Sequence, residues 1–122
     1  MKKTVLIIDD FENSLFVTGM TIERAGYNVI KANSGTEALK TIKSEIHLDL
    51  IISDYHMPNM NGLALVLEIK KLPHRTRVPI FMLSTEAKEE IKKPVMQAGA
   101  SLWIQKPFKT EKLVEYVKRA IG

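Results

Sequence analysis

The sequence predicts an α/β fold, a doubly wound, five-stranded parallel sheet with helices on both faces. Three observations predict it. Five short runs are β-branched and almost wholly apolar, as strands buried on both faces require. Segments of helical period follow these runs in alternation. The chain has 122 residues, the size of one domain built on one core.

The strands are expected at residues 4–9, 28–32, 50–54, 79–84 and 101–104. In the first helix Leu15, Phe16, Gly19 and Met20 recur at helical spacing, and Gly26 after Ala25 supplies a left-handed stop. Ser34-Gly35-Thr36-Glu37 is a capping box, and it opens a second helix with Ala38, Leu39, Ile42 and Ile46 on its apolar side. A third begins near Asn61-Gly62 and carries Leu63, Val66, Leu67 and Ile69. The fourth ends at Gly99, but Pro94 falls within it. Proline in a helix interior costs ~3 kcal/mol and is tolerated in the first turn, so this helix is expected to start late, near Lys93, or to kink. The last helix carries the stripe Leu113, Val114, Val117, Ala120 and Ile121. No linker, repeat or low-complexity tract interrupts the pattern, and one domain spanning residues 1–122 without an attached effector domain is expected.

Composition narrows the function classes. Apolar residues make up 45% and charged residues 26%, as in ordinary water-soluble domains. The absence of cysteine excludes disulfides and zinc–thiolate sites and fits a reducing cytoplasm. Met1-Lys2-Lys3 resembles the start of a signal peptide. However, the apolar run that follows ends at Asp9-Asp10, too short for a leader or a membrane span. The net charge of +4 sits in the second half, where residues 60–122 hold 12 Lys/Arg against 6 Asp/Glu. Lys88, Lys92, Lys93, Lys112 and Lys118 alternate with Glu89, Glu90, Glu111 and Glu115, the pattern of solvated helix faces rather than of a nucleic-acid stripe. An acidic protein partner suits that half equally well.

In a parallel sheet all strand C-termini share one edge, and ligands bind there, where strand order reverses. This sequence places Asp9-Asp10, Asp54, Ser84-Thr85 and Lys106-Pro107 at or just beyond those ends. Two carboxylates ~4 Å apart repel by about 4 kcal/mol near a protein surface. Three in one crevice therefore call for a counter-ion or a proton. A hard, oxygen-seeking cation answers that demand, Mg²⁺ best of all, because it accepts one or two carboxylates together with waters and phosphate oxygens.

The full set, Asp9-Asp10, Asp54 with Met57-Pro58 and Gly62, Ser84-Thr85 and Lys106-Pro107-Phe108, resembles the receiver domains of two-component response regulators. Gly99-Ala100-Ser101 and Trp103-Ile104-Gln105-Lys106 are most similar to the single-domain, CheY-like type. The resemblance spans the chain and implies a flavodoxin-like strand order 2-1-3-4-5. It implies that Asp54 is the nucleophile that takes a phosphoryl group from the phosphohistidine of a sensor histidine kinase. Asp10 and Asp54 would hold Mg²⁺ (or Mn²⁺) directly, Asp9 through water, and the backbone carbonyl of His56 would add a ligand. Ser84 and Lys106 would each contact a phosphoryl oxygen, and the Lys106–Pro107 peptide would be cis, as in many relatives. Ser84 and Trp103 would form the switch, with a downstream protein bound on the face made by helix four, strand five and helix five. Chemotaxis, relay to another histidine protein and control of a separate enzyme are the pathways such a chain serves.

Other classes fit less well. A metal-dependent phosphohydrolase would carry an Asp-x-Asp pair after the first strand, and a flavodoxin would carry a hydroxyl-rich phosphate loop there. This chain has Asp9-Asp10-Phe11-Glu12 instead. A degenerate receiver used as a scaffold would lack part of the acidic set. Neither a DNA-binding domain nor a membrane segment is expected. Pro94 bears on the partner face, and Trp103 is bulkier than the Tyr or Phe common at its position.

Overall fold

The apolar runs pair in parallel to form one five-stranded sheet in the order β2-β1-β3-β4-β5, as the resemblance implied. The computed structural model describes residues 2–122, so Met1 of the basic opening lies outside the described residues. The elements alternate along the chain. β1 (Thr4–Ile8), α1 (Glu12–Arg24), β2 (Asn28–Ala32), α2 (Gly35–Lys43) and β3 (Leu50–Asp54) form the first half. α3 (Gly62–Lys70), a 3-10 turn (Pro73–Arg75), β4 (Ile80–Ser84), α4 (Glu89–Ala98), β5 (Leu102–Gln105) and α5 (Thr110–Ile121) form the second.

Alternation along β1 explains why the strands read as unbroken apolar runs. Leu6 and Ile8 enter a core shared with α2, α3 and α4, through Ala38, Ile42, Val66, Ile69 and Val95. Val5 and Ile7 enter the opposite core, shared with Leu15 and Ile22 of α1 and Leu113 and Val117 of α5. With a helical layer on each face, neither side of the strand reaches water.

Local chemistry fixes the helix ends. The Ser34 hydroxyl accepts from the Glu37 N–H at 3.0 Å, while the Glu37 carboxylate accepts from the Asn33 N–H at 3.2 Å. The capping box is thus present, its return bond displaced by one residue from Ser34 to Asn33. Asn61 caps α3 by accepting from the Ala64 N–H. Gly26 and Gly99, at φ of 104° and 126°, take the left-handed turns that follow α1 and α4.

Several expectations need correction. α4 does not start late. It begins at Glu89, with the Lys88 carbonyl accepting from Ile91 and Lys92, and it runs through Pro94. Pro94 lies on the exposed side, so the carbonyl left without its N–H partner faces water, while fully buried Val95 anchors the next position. α2 stops at Lys43, leaving Ile46 in the following connection, 48% exposed rather than on the helix stripe. Phe16 is likewise 56% exposed, because α1 packs through Leu15, Gly19 and Ile22 instead. Strand limits differ by one residue: β1 closes at Ile8, β4 opens at Ile80, and β5 runs from Leu102 to Gln105.

Candidate phosphoacceptor and metal site

Strand order reverses between β1 and β3, and the two strand ends there deliver carboxylates to one crevice. Asp9 follows β1 directly and is buried, with its N–H donating to the Ala32 carbonyl at 3.2 Å. Its carboxylate accepts from the Phe11 N–H at 3.0 Å, which fixes the turn into α1. Phe11, at the N-cap, offers no side-chain cap, so Asp9 takes that task. Asp10 is exposed at the rim, and Asp54 ends β3, buried. One carboxylate oxygen from each of Asp9, Asp10 and Asp54 lies within 4.8 Å of the others.

A single ammonium answers this grouping. Lys106 Nζ donates to Asp54 Oδ1 at 2.7 Å. It arrives because the Lys106 N–H continues the β4–β5 pairing onto the Ser84 carbonyl at 2.8 Å, just ahead of the cis Lys106–Pro107 peptide. The remaining negative charge is felt at Asp9. Burial, chiefly, and then the charges of Asp54 and Asp10 push its pKa up, against the opposing pull of the Phe11 N–H and Lys106.

Such a donor set fits a hard divalent cation. All the ligands are oxygens, they converge from two strand ends, and their mutual repulsion is incompletely compensated by protein groups. A soft metal finds neither thiolate nor a converging imidazole here, since His56, the nearest histidine in sequence, is exposed and packs edge-on against Tyr55 with ring centroids 4.9 Å apart.

The polar neighbours continue toward the surface. Ser84, at the end of β4, is 1% exposed, and its hydroxyl accepts from the Glu86 N–H at 2.9 Å. The Glu86 carbonyl in turn accepts from Trp103 Nε1 at 3.1 Å. The Trp103 ring, half-buried on β5, lies 5.5 Å from the Tyr55 ring. The structure thus gathers Asp9, Asp10, Asp54, Ser84 and Lys106 at one edge, with Trp103 joined to Ser84 through the backbone of one residue, Glu86. Two contributors escaped sequence reasoning. Glu86 acts through backbone atoms that no side-chain pattern reports, and Tyr55, just past the end of β3, carries no motif of its own. Gly62 has a visible reason: a Cβ there would stand 2.5 Å from Met82 Sδ and 2.9 Å from Tyr55 Cδ1, inside the wall of the site.

Residues 5–118 match the family model of the response regulator receiver domain. The chain belongs to that family. It is 30% identical to the chemotaxis protein CheY1 of Helicobacter pylori over 97% of this chain and 96% of that one. It is also 30% identical to the polar-differentiation response regulator DivK of Brucella ovis, over 100% of this chain and 98% of the other. Among solved structures, the receiver domain of sensor histidine kinase PA1611 from Pseudomonas aeruginosa, with magnesium coordinated in its active-site cleft, superposes with a TM-score of 0.90. That pair shares 26% identity, covering 100% of this chain and 99% of the other. A receiver domain is a phosphorylatable signalling switch rather than an enzyme with a separate substrate, and the Asp9, Asp10 and Asp54 triad is the acidic site typical of receivers that bind Mg²⁺. No helix among the described residues is long and apolar enough to cross a membrane.

Proposed function

We propose that Asp54 accepts a phosphoryl group from the phosphohistidine of a sensor histidine kinase and that the receiver then changes its affinity for a partner protein. The observation that carries this reading is the convergence of three carboxylates on one crevice, with Lys106 bound to the one that ends β3. An Asp54 carboxylate oxygen forms the bond to phosphorus, the phosphorus–nitrogen bond breaks, and the imidazole leaves with the electron pair. Lys106 holds Asp54 in one orientation beforehand and moves to a phosphoryl oxygen afterwards, so its charge is opposed in both states. Asp10 and Asp54, with Asp9 through water and the backbone carbonyl of His56, would hold the Mg²⁺ or Mn²⁺. The cation supplies neutralisation of the phosphoryl oxygens' charge.

Transmission starts at Ser84. A phosphoryl group brings acceptor oxygens and carries about −1.5 to −2 of charge in place of the single negative charge of the Asp54 carboxylate. The Ser84 hydroxyl, now occupied by the Glu86 N–H, turns toward those oxygens and releases Glu86. Glu86 is also the acceptor for Trp103, so the loop between β4 and α4 and the indole on β5 move together. The face of α4, β5 and α5 carries that change to the partner. The names of the two relatives carry different outputs, chemotaxis and polar differentiation, and a pull-down with phosphoryl-mimic-bound protein against Asp54→Asn separates them by the partner captured.

Intact-mass spectrometry tests the central step. Wild type incubated with phosphoramidate and Mg²⁺ gains one phosphoryl mass, Asp54→Asn gains none, and an unmodified wild type ends the proposal. Trp103 is the one tryptophan of the chain. Its fluorescence therefore reports the switch, and an unchanged spectrum under saturating beryllofluoride and Mg²⁺ would remove Trp103 from it.

A further inference from the structure

Ser53 lies in β3 one residue ahead of Asp54 and is fully buried, although it carries a hydroxyl. Alternation along the strand sets it on the face of Ile51, toward the core of α2, α3 and α4. The Asp54 side chain therefore leaves from the opposite face of the sheet. The Ser53 hydroxyl donates to the Asp54 carbonyl at 3.0 Å. That carbonyl needs a donor because the ladder to β1 runs out here. Ile8 pairs with Ser53, and the N–H that follows it, of Asp9, turns away to the Ala32 carbonyl. Among the described residues no backbone N–H reaches the Asp54 carbonyl. A buried carbonyl left in that state would be costly, and Ser53 is what answers it.

The backbone between Asp54 and His56 is thereby held at three points. Ser53 holds the carbonyl of the Asp54–Tyr55 peptide, and the Leu83 carbonyl accepts from its N–H at 2.9 Å. The Tyr55 carbonyl accepts from the Gly62 N–H, also at 2.9 Å, which closes the loop. The next carbonyl, of His56, receives no backbone N–H among the described residues. We propose that Ser53 is a positioning residue that fixes this backbone, and with it the His56 carbonyl relative to Asp54, so that the site favours Mg²⁺ over Ca²⁺. The inference rests on the reading of Asp54 and the His56 carbonyl as metal ligands. Mg²⁺ demands near-ideal octahedral geometry at short oxygen distances, whereas Ca²⁺ accepts longer and less regular contacts. A carbonyl on a fixed backbone suits the stricter ion, and one that drifts penalises Mg²⁺ more than Ca²⁺. Of the three bonds, only that of Ser53 comes from a side chain, so it can be removed while the other two stay.

Metal titrations followed by nuclear magnetic resonance test this. Mg²⁺ and Ca²⁺ are each added to metal-free wild type and to Ser53→Ala, and the amide signals of Asp9, Asp10 and Asp54 give the dissociation constants. In the variant the constant for Mg²⁺ rises about tenfold, the loss expected when an outer-shell partner is removed. The constant for Ca²⁺ changes less than about twofold, because that ion tolerates the displaced carbonyl. Ser53→Cys, of similar size but with a weaker donor, shifts the ratio in the same direction and serves if Ser53→Ala folds poorly. A ratio unchanged in a folded variant overturns the proposal. So does equal weakening of both ions, the result of a merely structural loss. The carbonyl-carbon resonance of His56 in wild type separates the two readings. If it moves with Mg²⁺ while the ratio stays constant, Ser53 alone loses its role. If Asp54 responds and His56 does not, the assignment of the His56 carbonyl fails and the proposal falls with it.

Discussion

At the lower edge of the sheet, where strands begin, two charged side chains withdrawn from water, Arg75 and Asp49, are held by hydrogen bonds. At the upper edge, where strands end, charged side chains are left in conflict. Below, the Arg75 guanidinium is buried and donates to three backbone carbonyls, of Ile42 at 2.9 Å, Ser44 at 3.0 Å and Ile46 at 2.6 Å. Nearby, Asp49 accepts from the Thr4 N–H and from His47, each at 2.8 Å. Above, three carboxylates share one ammonium. The same residue types therefore serve different ends. Partnered charges brace the scaffold, whereas the crowded ones hold free energy in reserve for a cation and a phosphoryl group.

Breaking the lower brace should have the largest effect. Arg75→Met keeps the apolar stem but strands the Ile42 and Ile46 carbonyls and leaves Ser44 with His74 alone, at 3.1 Å. A loss of about 3 kcal/mol is expected in urea unfolding. Stabilisation by added Mg²⁺ should be unchanged, because the upper edge is intact. Loss of the Mg²⁺ response in this variant would show that the two edges are coupled. Next comes Lys106→Ala, which leaves the acidic crevice without its ammonium. It should cost about 2 kcal/mol without metal, and much of that should return as Mg²⁺ is added. Asp54 should still take phosphate in this variant, but the Trp103 signal should respond weakly.

The contrast also explains what the sequence could reveal. The crowded edge was legible because parallel strands send every C-terminus to one side, so Asp9, Asp10, Asp54 and Ser84 could be placed together from strand positions alone. The partnered edge was not legible. Arg75 bonds to carbonyls, which every residue possesses, and nothing in its neighbours marks them as acceptors. The link from Ser84 to Trp103 through Glu86 is hidden for the same reason. The start of α4 failed differently, since an intrinsic penalty at Pro94 was outweighed by burial of Val95 and by the exposure of the orphaned carbonyl. Phe16 misled by its spacing. Lys31 lies across Gly19, where a Cβ would meet its Cε at 2.7 Å, and the Lys31 ammonium stands 5.5 Å over the exposed Phe16 ring.

Asp9→Asn should act in the opposite direction to the first two changes. The amide oxygen can still accept from Phe11, while the crowded charge is gone. In metal-free protein at neutral pH the variant should be more stable by on the order of 1 kcal/mol. The sign follows from the raised pKa of Asp9. Between its ordinary value and the raised one, the folded state binds more protons than the unfolded state, so this group's contribution falls as pH rises through that window. Without Asp9 the decline disappears, and with Mg²⁺ present the advantage of the variant should shrink. A metal-free variant less stable than wild type at neutral pH would mean that the crowding is already compensated.

Asp49→Asn should show the smallest effect and the opposite slope. Burial alone would raise the pKa of Asp49, but the Thr4 N–H, the His47 hydrogen bond and charge, and the Lys3 charge outweigh it, so the net shift is downward. Its contribution is therefore present above the ordinary carboxylate pKa and is lost as pH falls through the depressed one. The substitution should cost about 0.5–1 kcal/mol near neutrality, with the gap to wild type closing toward strong acid. Urea midpoints for both aspartate variants across the acid range place the two slopes side by side. If the contribution of Asp49 also fell with rising pH, the lower edge would be as frustrated as the upper, and the division between brace and reserve would fail.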